Sequence, residues 1–174
     1  MSMEKKWYAL LIRSHCEKIV CQSVLKKSID VFAPTIKKQS RRKDRNIMID
    51  VPLFPGYIFV NIFSTPAEQL KVLKTFGAIR ILGYNDCPVA VPAKQIESLK
   101  IITGQNKTII TGKDSSLTRG ESVIVIQGVF AGLQGEFLRY KGKERVIIKL
   151  EALGQFAGVE INKEDLEKLP DIMS

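Results

Sequence analysis

The chain has little of what catalysis and metal binding usually need. It carries one histidine, His15, one tryptophan and three cysteines. A single His, with no Ser–His or Cys–His arrangement to be read around it, gives little support to nucleophilic or general acid–base chemistry. His15 adjoins Cys16, but neighbours on a helix point apart. No GxGxxG, Walker or metal-ligand spacing occurs. Cys16, Cys21 and Cys87 form no CxxC and make an odd count, so they read as reduced, partly buried thiols rather than a disulfide frame or zinc site. No apolar run reaches the roughly 18 residues a spanning helix requires. The segment MSMEKKWYALLIRSHCEK has no signal-peptide pattern, so the chain is expected in the cytoplasm and away from membranes. Low-complexity tracts and internal repeats are also missing. None of these observations suggests an enzyme or a bound cofactor.

What is present is a foldable chain with unevenly placed charge. Its 174 residues suit one ordinary domain or two small ones, and 45% hydrophobic composition supports a buried core. Net charge is +9. Residues 1–112 hold 18 Lys and Arg against 8 Asp and Glu, or +10; residues 113–174 hold 9 against 10, or −1. A basic first part can attract a polyanion, while the near-neutral remainder meets something else. A solvated Lys-rich surface would produce the same numbers, and charge alone leaves both readings open.

The hydrophobic pattern divides the chain similarly. WYALLI (Trp7–Ile12) predicts a buried strand. Ser14 and Glu17 match a capping box, followed by Cys16, Ile19, Val20 and Val24 at helical spacing. Val31–Ile36 is extended, KKQSRRKDRN has no apolar residue, and Ile47–Val51 resumes a strand: together they predict a hairpin with a basic tip. Gly56–Phe63 is a β-branched and aromatic strand. Thr65-Pro66-Ala67-Glu68 starts a helix that runs to about Lys74. Short strands are expected at Ile79–Leu82 and Val89–Val91, and a helix at Ala93–Thr103 with Gly104 as its stop. Residues 105–117 are polar and read as a linker. Beyond them, Ser122–Gln127, Gly135–Tyr140, Arg145–Leu150 and Ala157–Ile161 are short runs broken by Gly-containing turns, which predicts a small bent barrel. Asn162–Leu169 reads as a last helical turn. The fold class is therefore α+β: an α/β domain over 5–104, a linker over 105–117 and an all-β barrel over 118–170.

Two motifs stand out. In PLFPGYIFV (Pro52–Val60), the prolines stiffen the approach to a strand and Gly56 permits a tight bend. Phe54 and Tyr57 are then held near one another. They form either an apolar surface for a partner or part of the core, and aromatics are commonest in cores. In the barrel, Gly120, Glu121, Val123, Val125, Gly128, Phe130, Gly132 and Gly135 make an alternating strand and a Gly-shaped turn. Phe130 can sit at the loop tip as a contact or fold back as a plug.

Trp7-Tyr8, Phe32-Ala33-Pro34-Thr35, PLFPGYIFV and the stretch from Gly83 to Val89-x-Val91-Pro92 resemble the N-terminal domain of the NusG family. The Val123–Gly135 pattern resembles that family's KOW domain, a small SH3-like β-barrel. The resemblance runs from about residue 6 to residue 169. It implies a NusG-type α/β sandwich followed by the barrel, acting as a monomeric transcription elongation or antitermination factor. It implies docking on the clamp helices of RNA polymerase, with reach towards the gate loop, through Tyr8, Phe54, Pro55, Gly56 and Tyr57. The barrel would contact a small-subunit ribosomal protein or Rho through Val129, Phe130, Ala131 and Gly132. Non-template or upstream DNA would lie near His15, Lys18 and Gln22 on the first helix and Arg41, Arg42, Lys43 and Arg45 on the hairpin tip. There Lys and Arg supply phosphate affinity, and Gln or His can read a base edge. The sequence LKVLKTFGAIRILG departs from the family's usual second-helix region, and the hairpin tip is strongly basic. Both features resemble the specialised paralogues, the class that includes RfaH. Strands rich in β-branched residues, VIVI and VIIKL, favour a stable barrel. The competing expectation is an RNA-binding or ribosome-associated KOW protein, and the −1 charge of residues 113–174 argues against it.

Overall fold

The computed structural model describes residues 3–44 and 46–170. Its elements follow the hydrophobic pattern closely. They are β1 (Lys6–Ile12), α1 (Glu17–Lys26), β2 (Asp30–Phe32), β3 (Thr35–Gln39), β4 (Met48–Pro52), β5 (Tyr57–Ile62), α2 (Pro66–Leu73), β6 (Ala78–Ile81), β7 (Gly83–Tyr84), β8 (Cys87–Pro88), β9 (Ala90–Val91) and α3 (Ala93–Thr103). The later part contains β10 (Ile109–Lys113), β11 (Glu121–Val125), β12 (Gln134–Tyr140), β13 (Lys143–Leu150), β14 (Gln155–Glu160) and β15 (Leu166–Lys168). The chain separates into two compact units, meeting between Pro92 and Ala93.

In the first unit a sheet of order β2-β5-β1-β6, with β9 also on β1, is antiparallel throughout. Strand alternation sends one set of side chains to each face. Tyr8, Leu10 and Ile12 of β1 and Ile58, Val60 and Ile62 of β5 point to the face that packs with Val20 and Val24 of α1 and Val72 of α2. Removal of these side chains from water is the main stabilising contribution to this unit, at roughly 1.5–3 kcal/mol for each large aliphatic group. Thr65 caps α2 as its sequence suggests, its hydroxyl accepting the Glu68 amide at 3.3 Å. The expected capping box of α1 does not form. Cys16 occupies the N-cap position without a side-chain cap, and the Glu17 carboxylate is engaged elsewhere. Strands β3 and β4 pair only with each other and carry the basic tip as a separate two-stranded ribbon.

In the second unit the strand order is β10-β14-β13-β12-β11-β15. Two features differ from the sequence reading. The stretch read as a linker contains β10, whose five residues pair with β14 from Ile109–Val159 to Lys113–Gln155. Gly112 permits this, because a Cβ there would lie 2.8 Å from the Phe156 ring. Helix α3, assigned from sequence to the first domain, has its contacts with β12 and β13. The Ser98 hydroxyl stands 3.2 Å from both the amide and the carbonyl of Gln134, an attachment that helical periodicity cannot reveal. The expected last helical turn is a single 3-10 turn at Lys163–Asp165 followed by β15. No helix among the described residues is long and apolar enough to cross a membrane.

Candidate protein- and nucleic-acid-binding surfaces

The Phe54–Tyr57 turn is built to a specific geometry. The Tyr57 amide donates to the Phe54 carbonyl at 3.1 Å, with Pro55 and Gly56 between them and Gly56 at φ +86°. Pro at the second position and a positive-φ Gly at the third define a type II turn. The turn is then fixed from both sides. The Ile12 amide donates to the Gly56 carbonyl at 2.9 Å, and the Gly56 amide donates to Glu17 Oε1 at 3.1 Å. Glu17 thus joins the first turn of α1 to this loop, which accounts for the lost capping box.

The predicted contact residues around this turn do not share one surface. Phe54 is 1% exposed and Tyr8 4%, so both belong to the interior. Pro55 is exposed, and Gly56 and Tyr57 are half-buried. The register explains why Tyr8 and Tyr57 part. Tyr57 lies opposite Leu11, whereas Tyr8 lies opposite Val60 in the helix-covered core. One residue of offset along a strand reverses the face. The residues sharing the Tyr57 face are Trp7, Ala9, Leu11, Asp30, Phe32, Phe59 and Asn61; Ala9 and Phe59 are buried, Asp30 is exposed, and the others are half-buried. Phe32 stacks on Phe59 with ring centroids 6.2 Å apart. Sequence reasoning missed Leu11 and Phe32 as members of this face. The unbroken apolar run WYALLI gives no alternation from which its two faces could be told apart, and Phe32 reaches this face only through its pairing with Phe59.

His15, Lys18 and Gln22 are all exposed at the start and along the outer side of α1. Lys18 and Gln22 stand one turn apart on the same helix face. His15 adopts φ +63° in the turn before the helix, outside its regular spiral. On the hairpin tip Arg41, Arg42 and Lys43 are exposed; Arg45 lies outside the described residues.

In the barrel, Gly128 and Gly132 take φ +87° and +92°. The Gly132 amide donates to the Val125 carbonyl at 2.8 Å, closing the loop between β11 and β12. Phe130 does not project: it is 6% exposed and fills the barrel end as a plug. The expectation of an exposed Phe130 contact is therefore corrected, because a large ring on so short a loop lowers its free energy by turning inward. Val129 at 52% exposure, with Ala131 and Gly132, forms the accessible part.

Burial, with Glu17 nearby as a second contribution, raises the Cys21 thiol to about 11. Cys87 is exposed and Cys16 is half-buried, so partial burial describes only two of the three thiols. No group of three or more His, Cys, Asp or Glu residues able to hold a metal ion occurs among the described residues.

The first unit is an antiparallel sheet with helices on one face and a two-stranded basic ribbon, and the second is a glycine-turned β-barrel. Residues 5–100 match the family model described as "Transcription termination factor nusG", which covers more than half the chain. The chain belongs to the NusG family. It is 23% identical over 175 residues to the transcription termination/antitermination protein NusG of Rickettsia typhi, covering 94% of this chain and 90% of that protein. Against the protein of the same description from Streptococcus pyogenes serotype M3 (strain ATCC BAA-595 / MGAS315), identity is 22%, covering 97% of this chain and 98% of the other. Among solved structures, "Domain interaction in Thermotoga maritima NusG" aligns over 95% of this chain and 97% of that one, with a TM-score of 0.54 and 20% identity, a likeness of fold. The function that follows is that of a NusG-type transcription termination/antitermination factor.

Proposed function

We propose that the first unit docks on RNA polymerase through the sheet face bearing Trp7, Leu11, Phe32 and Tyr57, together with the Pro55-Gly56 turn. The observation that carries this reading is the β1–β5 register, which gathers half-buried aromatic and aliphatic side chains on the face opposite the core, beside a turn fixed by three hydrogen bonds. A preformed apolar surface loses little conformational entropy on binding. Tyr8 lies on the opposite, helix-covered face of β1, and Phe54 is buried at the start of the turn. The polymerase clamp helices are the expected partner, with the gate loop on the opposite side of the cleft. Bridging the two disfavours clamp opening and shifts the enzyme away from paused states by preferential binding to the closed state.

The exposed cations of α1 and of the ribbon tip then lie towards DNA, where Lys18, Arg41, Arg42 and Lys43 neutralise phosphates and His15 and Gln22 meet exposed bases. The barrel takes a protein partner through Val129, Ala131 and Gly132, a small-subunit ribosomal protein or Rho. Its near-neutral charge favours protein over nucleic acid.

The test is capture of purified RNA polymerase by three immobilised chains. Tyr57→Ala should lower binding at least tenfold, whereas Tyr8→Phe should leave it within twofold. Undiminished binding by Tyr57→Ala sinks the proposed face. Deletion of the second unit, residues 93–174, should leave pause suppression in a purified transcription system largely intact.

A further inference from the structure

We propose that the barrel carries a carboxylate-binding pocket, anchored by Arg145, which takes an acidic side chain from an apolar–acidic segment of the protein partner. The proposal deepens, and rests on, the reading of the Val129–Gly132 loop as a protein contact. The pocket is a concavity of about 450 Å³ between the β11–β12 loop and the β13 and β14 strands. Its lining includes Val129 and Phe130 of the loop, the cations Lys107, Lys143 and Arg145, and the acids Glu160 and Asp165.

Arg145 is the unusual member. It is 8% exposed, one of very few buried charged side chains among the described residues. A guanidinium at that depth is ordinarily paired with a carboxylate, because an unpaired buried charge is costly. The cross-strand neighbour that could serve is Glu160, directly opposite Arg145 in the β13–β14 register. Glu160 is instead engaged by Lys143 at 2.9 Å. The other nearby acid, Asp165, accepts from Gln127 Nε2 at 2.7 Å. Among the described residues Arg145 makes no ion pair. Its one hydrogen bond, Nε to the Tyr140 carbonyl at 3.3 Å, orients the planar group and leaves the terminal fork open.

A fixed, half-satisfied guanidinium suits a carboxylate, which it can grip through two parallel hydrogen bonds. The surroundings select the kind of molecule that brings it. Val129, in the lining, is 52% exposed and offers aliphatic surface to apolar residues flanking the acid. The three lining cations Lys107, Lys143 and Arg145 are offset by Glu160 and Asp165, which leaves about one unit of positive charge, a match for a single carboxylate rather than for a run of closely spaced phosphates. Occupation by a partner acid would complete the charge pairing that the chain leaves open.

The test is an NMR titration of the full isotope-labelled chain. The first probe is the blocked pentapeptide acetyl-Leu-Glu-Val-Asp-Leu-amide. The second is its counterpart with Gln and Asn in place of the acids. Inorganic phosphate and octauridylate complete the set. The acidic peptide should shift the amides of Gly128 and Val129 and the Arg145 Nε resonance, and bind at least tenfold more tightly than the amide peptide. Arg145→Lys, which keeps charge and stem but not the fork, should weaken it at least fivefold. Val129→Ser, an exposed change that spares the core, should weaken it severalfold, which covers the case in which the Arg145 variant folds poorly. Equal binding of the two peptides, no binding of the acidic one, or indifference of a folded Arg145→Lys chain would overturn the proposal. So would octauridylate binding the same amides as tightly, which marks a nucleic-acid surface, or phosphate reproducing every shift, which marks a simple anion site. The parent reading fails separately. If capture of a ribosomal protein or Rho is insensitive to Val129→Ser while the peptide still discriminates, the loop assignment falls and the pocket stands.

Discussion

Replacement of Phe54 separates support from contact at the candidate polymerase surface. Phe54 is 1% exposed, so truncation to Ala removes a fully buried ring and leaves a cavity. Such changes cost about 3–5 kcal/mol. For a unit of this size each kcal/mol lowers Tm by about 4–8 °C, so Phe54→Ala should lower the melting point of the first unit by roughly 12–40 °C. The assay is fluorescence-detected melting: Trp7 is the single tryptophan and lies in β1, so the signal follows the first unit and not the barrel. Phe54→Leu retains most of the volume and should cost less than about 1.5 kcal/mol. If Phe54 acts only as a buried residue, Phe54→Leu binds polymerase normally at a temperature where it is folded. A Tm drop below 5 °C for Phe54→Ala, or lost polymerase binding by a fully folded Phe54→Leu, would refute the assignment of Phe54 to the core and restore it as a direct contact.

Other outcomes can be checked with the same material. Gly56→Ala and Gly77→Ala both force a side chain into positive φ, at about 1–2 kcal/mol. Only Gly77→Ala also drives a Cβ to 2.9 Å from Val20 Cγ2 in the core, so urea titration followed by Trp7 should show it to be the more destabilising of the two. At pH 8 iodoacetamide should modify Cys87 and spare Cys21, whose thiol holds its proton to about 11. The folded chain therefore retains a proton that the unfolded chain releases near 9, and this contribution to stability, complete below pH 9, should fade as pH rises from 9 to 11. Rapid Cys21 labelling at pH 8 in the folded chain would contradict its burial. Arg41→Ala with Arg42→Ala should weaken binding to elongation complexes and reduce the log–log salt slope by roughly 1.4 to 1.8, the loss expected for two phosphate contacts. An unchanged slope removes the ribbon tip from the DNA contacts.

Residue pattern alone determined much of this protein. The strand WYALLI, the Thr65 cap, the helix over Ala93–Thr103 and the basic hairpin all follow from local chemistry: a short unbroken apolar run, a hydroxyl that satisfies an early helix amide, helical spacing, and a charged run that must stay solvated. The two-part organisation and the family likeness were equally legible, because they rest on motifs contiguous in the chain. What the tertiary structure decided concerns partners far apart in sequence. Glu17 was drawn from its cap to the Gly56 amide, α3 was attached to the barrel through Ser98, and residues 109–113 became a strand because Gly112 lets them close on Phe156. The same holds for the candidate surface. Nothing local distinguishes Tyr8 from Tyr57, two tyrosines in apolar strands. Only the pairing of β1 with β5 assigns one to the helix-covered core and the other to the opposite, half-buried face, since strand register depends on long-range hydrogen bonds and a single residue of offset reverses every side chain.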